Sequence, residues 1–137
     1  MTPPVTPAVT PTELDPFDLP DWLGESEVTW AADAGLRTGH RVPGRLTGSA
    51  PEHEVVCDLL AVDEAYPEPV TSTPLRSHAH QAWQHGQILL ASYDGRLTLL
   101  VPGTGFDADR VLDALERLAK AVGAAPANYA AHLRLGR

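Results

Sequence analysis

The sequence predicts an α+β domain: a mainly antiparallel sheet of about five or six strands, with two helices packed on one face, behind a disordered Pro/Thr-rich tail. Three observations carry this expectation. Residues 87–102, QILLASYDGRLTLLVP, are two apolar runs joined by Asp94-Gly95, the dipeptide that accepts the positive φ of a type I′ hairpin turn. Residues 73–86 and 107–123 repeat apolar side chains at helical spacing between cap and stop residues. Residues 54–62, EVVCDLLAV, form a near-continuous apolar run of strand length, as in a central strand buried on both sides.

Taken in order, residues 2–12 alternate proline with Thr, Val and Ala, a composition that favours extended, solvated chain. We divide the chain into a disordered tail (1–14), an acidic-hydrophobic arm (15–26) and a single α+β domain (27–137). In the domain, Val28 and Trp30 open a strand, Asp33-Ala34-Gly35 supplies a turn, and a return strand runs from Leu36. Leu36, Thr38, His40, Val42 and Leu46 share one face of that strand, and Arg37, Arg41 and Arg45 the other. Pro43 and Gly44 inside it imply an edge position or a bulge.

Thr73 as N-cap, Pro74 at the first turn and Gly86 as the stop bound the first helix, whose apolar face is Leu75, Ala79, Ala82 and Trp83. Asp107 caps the second helix, Gly123 ends it, and Val111, Leu112, Leu115, Leu118, Ala119 and Val122 form its buried stripe. Residues 128–135 alternate in a way that favours a last strand, although Pro126 also suits a short helix.

Composition narrows the function classes. The net charge is −8, and residues 1–27 hold six of the eighteen acids with no Lys or Arg. Nucleic-acid affinity draws on phosphate neutralisation, which this balance disfavours. No apolar run has the length of a membrane span, and the N-terminus lacks the basic and apolar regions of a secretory signal, so a cytoplasmic setting is expected. Cys57 is the single cysteine, which excludes an internal disulfide framework and a multi-cysteine zinc site.

SHAHQAWQHGQ (77–87) gathers His78, His80 and His85, but on a helix positions two apart point to nearly opposite sides. No shared metal and no cofactor is expected there. His80 should face water, while His78 could reach the acidic strand and loop after Cys57. Cys57 itself reads as a small core residue, whereas Asp58 beside it must point to a polar face or find a partner, because an unpaired buried acid is costly. His53, Asp58 and His78 are the catalytic candidates. In VPGTGFDADR, Asp107 and Asp109 occupy the helix start and would repel a phosphate, so this reads as a capped turn.

DPFDLPDWLGESE (15–27) sets Phe17, Leu19, Trp22 and Leu23 among acids, a pattern suited to docking in an apolar groove with a basic rim. The competing expectation is that these residues fold back on their own domain. Arg37, Arg41 and Arg45 form a second partner-binding candidate, for an acidic protein or, against the charge balance, a nucleic acid. The functional expectation is a non-catalytic interaction or regulatory module acting through its sheet edge and the Phe17–Leu23 arm, on another protein or on itself as a homodimer. The alternative is a small metal-dependent or acid–base enzyme using His53, Asp58, Asp63 and Glu64. Deleting residues 1–24 is expected to leave the domain folded.

Overall fold

In the computed structural model, which describes residues 11–25, 27–33, 41–63 and 72–132, one eight-stranded mixed sheet carries helices on both faces. The strands are β1 (Thr12–Glu13), β2 (Val28–Ala32), β3 (Arg41–Val42), β4 (Gly44–Thr47), β5 (Glu54–Ala61), β6 (Leu89–Tyr93), β7 (Arg96–Val101) and β8 (Tyr129–His132). The helices are α1 (Trp22–Glu25), α2 (Thr73–Gln84) and α3 (Ala108–Ala121). Across the sheet the order is β1-β6-β7-β5-β4-β2-β8, with β3 also on β5.

The expected architecture is corrected in three respects. Two neighbouring pairs, β5 with β7 and β2 with β8, run parallel, so the sheet is mixed rather than mainly antiparallel. Eight strands replace five or six, because Thr12–Glu13 pairs with β6 and Pro43 divides one strand into β3 and β4. A third, short helix forms at Trp22–Glu25, and the two long helices lie on opposite faces instead of one. Parallel neighbours cannot be joined by a tight turn, so the chain must cross a sheet face between them. It crosses one face with α2 between β5 and β7, and the other with α3 between β7 and β8.

Alternation along the strands shows the two layers. Cys57 and Leu59 on β5, and Leu97 and Leu99 on β7, join Trp30, Leu46 and the α3 side chains Val111, Ala114, Leu115 and Leu118 in the larger core. Leu60, Val62, Leu89, Ala91 and Leu100 point the other way, onto Leu75 and Ala79 of α2. The central strands are therefore apolar on both sides, which is why their sequences read as unbroken hydrophobic runs.

Local signals account for the element ends. Asp94 (φ 57°) and Gly95 (φ 73°) form the left-handed pair between β6 and β7. The Asp107 side chain accepts from Arg110 N–H at 2.8 Å at the start of α3. For α2 the cap is Ser72, one residue earlier than expected; its hydroxyl accepts from Leu75 N–H at 3.3 Å. Residues 34–40, with Arg37 and His40, lie outside the described residues, as does the proposed 2–10 stretch of the tail. Among the described residues no helix is long and apolar enough to cross a membrane.

Candidate functional site

The strand break at Pro43 organises a charged cluster. The pairings Arg41↔Leu60 and Val42↔Leu59 on one side, and Arg45↔Val56 and Leu46↔Val55 on the other, keep one offset, so the break is not a bulge. Nor is it at an edge, since β4 lies between β2 and β5. Proline has no N–H to give to the ladder, and side chains meet the backbone groups around it. Trp30 Nε1 donates to Cys57 O at 2.9 Å, Asp58 Oδ1 accepts from Gly44 N at 3.3 Å, and Arg96 Nη2 donates to Gly44 O at 3.2 Å. Gly44 is required here: a Cβ would lie 2.6 Å from the Trp30 ring and 2.7 Å from Ala31 O.

Asp58, with 0% exposure, is the centre of the cluster. Arg41 donates to Oδ2 through Nε (3.1 Å) and Nη2 (2.8 Å). Arg96 spans both oxygens, with Nε at 3.0 and 2.9 Å and Nη2 at 2.8 Å from Oδ1. These bonds to Asp58 hold the Arg96 guanidinium above its ordinary pKa, against the opposing effect of burial. Arg41 also lies 5.0 Å from the Tyr93 ring centre, and Arg45 binds Asp33 (3.2 Å) and Glu54 (3.3 Å) at the surface. Asp58 is thus an acceptor surrounded by fixed positive charge and out of contact with solvent. The Arg41 and Arg45 candidates are occupied by this chain's own carboxylates. Cys57 is fully buried, and desolvation, reinforced by Asp58, pushes its thiol far above the ordinary range.

The other candidates sit elsewhere. His53, five residues before Asp58, stacks on Trp22 (centroids 4.7 Å, planes 3° apart) on the face opposite Asp58. Its Nδ1 is buried without a hydrogen-bond partner. Asp63, five residues beyond Asp58, is about 16 Å away along an extended chain. The three described acid–base candidates therefore do not meet: Asp58 lies between arginines, His53 under Trp22 and Asp63 at the α2 end; Glu64 is outside the described residues.

The helix separates the histidines as its geometry demands, but their roles differ from expectation. His78 Nδ1 pairs with Glu13 on β1 at 2.9 Å and does not reach the acidic strand. His80 is exposed, as expected, and is also the one that reaches the segment after Cys57: Nε2 lies 2.8 Å from both oxygens of Asp63. Asp63 also accepts from Gly103 N–H at 2.7 Å. Burial would raise the Asp63 pKa; the His80 and Gly103 hydrogen bonds, with the charges of His80 and Arg76, outweigh it and hold the carboxyl below its ordinary value. No group of three or more His, Cys, Asp or Glu able to hold a metal is found among the described residues.

The arm divides into a buried half and a presented half. Leu23 is 0% exposed in the larger core, and Leu14, Leu19 and Trp22 pack against that core. Phe17, in contrast, is 95% exposed. It sits in a 3-10 turn, Pro16–Asp18, closed by a reciprocal cap: Asp15 Oδ1 accepts from Phe17 N–H at 3.0 Å, and Asp18 Oδ2 accepts from Asp15 N–H at 3.3 Å. Two grooves flank the turn and share Pro16, Lys120 and Ala121. One, of about 470 Å³, is bordered by Phe17, Asp21 and Glu25. The other, of about 500 Å³, runs between the C-terminal parts of α2 and α3 over Ile88 and Leu90.

Arg96, Asp33, Gly44 and His80 were not foreseen as site residues. The signal for Arg96 was Asp58 itself, an acid within an apolar run that had to be met by a cation from another strand. Comparison of the chain with protein-family models, with curated proteins and with solved structures gives no match.

Proposed function

We propose that the chain is a non-catalytic protein-binding module of the cytoplasm whose anchor is Phe17. The observation that carries this reading is a phenylalanine at 95% exposure on a turn whose own hydrogen bonds hold it outward. Burying such a side chain is worth about 1.5–3 kcal/mol, and none of the described residues takes that gain. Asp15, Asp18, Asp21 and Glu25 around it are exposed, so the complementary surface is an apolar pocket with a Lys/Arg rim. Leu19, Trp22 and Leu23 hold the turn in place and do not contact the partner. Of the two sheet edges, β1 is only two residues long, while β8 is tied to the arm by Tyr129 Oη donating to Leu23 O at 2.7 Å. A partner adding to the β8 edge would therefore touch the arm as well.

The test is to place a photo-crosslinking phenylalanine analogue at position 17 in the full chain and irradiate cells. A light-dependent protein adduct at 17, absent when the same group replaces Leu112 (48% exposed), is expected. Equal yields at both positions would overturn the reading.

A further inference from the structure

The pocket that Phe17 calls for is present on the chain itself. The groove between α2 and α3 has an apolar floor of Leu14, Ile88 and Leu90, and its lining contains Arg117, Lys120 and His78 but no carboxylate. Arg117 is held by Asp113 at 3.0 Å, by the Trp83 ring at 3.5 Å and by the Trp83 and Gln87 carbonyls, so it is a fixed wall. Lys120 is 3.8 Å from Glu116, a contact loose enough to accept a second carboxylate. His78 already pairs with Glu13. Of these cations Lys120 is the one held loosely enough to meet a further carboxylate, and the Phe17 turn carries exposed acids.

The turn cannot fill its own groove. Pro16 forms part of the groove wall, and Phe17 borders the neighbouring groove and not this one. Knob and hole lie side by side on one surface, the arrangement a two-fold, self-complementary interface requires: each copy offers both, and both are used twice.

We propose that the occupant of this groove is a second copy of the chain, the Phe17 turn of each copy entering the α2–α3 groove of the other. This rests on Phe17 being the anchor, and it names the partner. Two phenylalanines bury about 150–250 Å² each, well under the roughly 1,600 Å² of a standard interface, so the dimer forms with concentration and is not obligate.

Analytical ultracentrifugation of the full chain across a concentration series reads this directly. A monomer–dimer equilibrium is expected, with Phe17→Ser weakening it at least about tenfold. Lys120→Glu and Asp21→Lys should each weaken it, and an equimolar mixture of the two should restore association, because every cross-copy contact then joins opposite charges. Asp21 is chosen because Asp15 and Asp18 close the turn. A chain monomeric up to about millimolar, or a dimer indifferent to all three substitutions, overturns the proposal. The crosslinking experiment separates the two failures: an adduct with a different protein keeps Phe17 as anchor and removes self-association, whereas an adduct of twice the chain mass supports both.

Discussion

Replacing Asp58 by alanine tests whether the buried carboxylate is a structural hub. Asp58 has no exposure and accepts from two guanidiniums and the Gly44 amide. Removing one partner of a buried ion pair costs about 3–5 kcal/mol, mostly because the remaining charge is left uncompensated. Here Arg41 and Arg96 are 29% and 27% exposed and can turn partly to water, which favours the lower end. The stranded Gly44 N–H adds about 1 kcal/mol. The expected loss is therefore about 3–4 kcal/mol, or a fall in Tm of roughly 12–16 °C for a domain of this size. Urea unfolding at neutral pH, with the slope checked for constancy, measures it. Asp58→Asn keeps one acceptor and should fall between the wild type and alanine. Replacing Asp58, Arg41 and Arg96 together by Leu and Met should recover most of the loss, since an apolar set of similar volume needs no compensation. An alanine variant within about 1 kcal/mol of wild type would refute the reasoning and return Asp58 to the pool of groups free for chemistry.

Three further expectations follow from the same structure. Leu23→Ala should cost about 2–5 kcal/mol in urea unfolding while Phe17→Ala costs under about 0.5, so deleting residues 1–24, expected from sequence to leave the domain folded, should instead destabilise it because Leu23 belongs to the core. Gly44→Ala should cost about 3 kcal/mol or more by the same measurement, because its Cβ would meet Trp30 and the β2 backbone at once. The Asp63 carboxyl is held below its ordinary 3.8 in the folded state, so the unfolded chain binds the proton first. The stabilisation is thus fully present above pH 3.8 and lost as pH falls through the folded pKa. For so exposed a pair it is about 0.5 kcal/mol, and Asp63→Asn should flatten that limb of the stability–pH curve.

Which parts of this were legible in the sequence has a physical explanation. Turn and cap chemistry is local: Asp94-Gly95, Asp107 and Gly123 specify their own backbone, and the structure places them as read. Topology is not local. The run EVVCDLLAV reads as buried on both sides, yet both helices were expected on one face; the parallel pairing of β5 with β7 places α2 on one face and that of β2 with β8 places α3 on the other. Asp58 reads as needing either a polar face or a partner, and its partner Arg96 is 38 residues away, so only strand pairing brings it near. The histidine geometry was right in separating His78 from His80 but could not tell which faced Asp63, because helix phase relative to the sheet is set by Leu75 and Ala79 docking on β6 and β7.

The arm shows how one segment can both complete the core and, in the proposed function, present an anchor. Its backbone is tied to the domain at Leu14 N, which donates to Leu90 O at 2.9 Å, and at Leu23 O, which receives the Tyr129 hydroxyl. Between those points the Asp15/Asp18 cap closes the turn on itself. A flexible tail carrying the same phenylalanine would lose about 1–2 kcal/mol of backbone entropy for every residue ordered on binding, which over the three residues of the turn exceeds the gain from burying one ring. Fixing the turn in advance removes most of that cost. In the proposed binding mode the buried Leu23 is therefore as necessary as the exposed Phe17, although the two would fail differently. Leu23→Ala should lower stability and binding together, and Phe17→Ala should remove binding from a domain that melts like wild type.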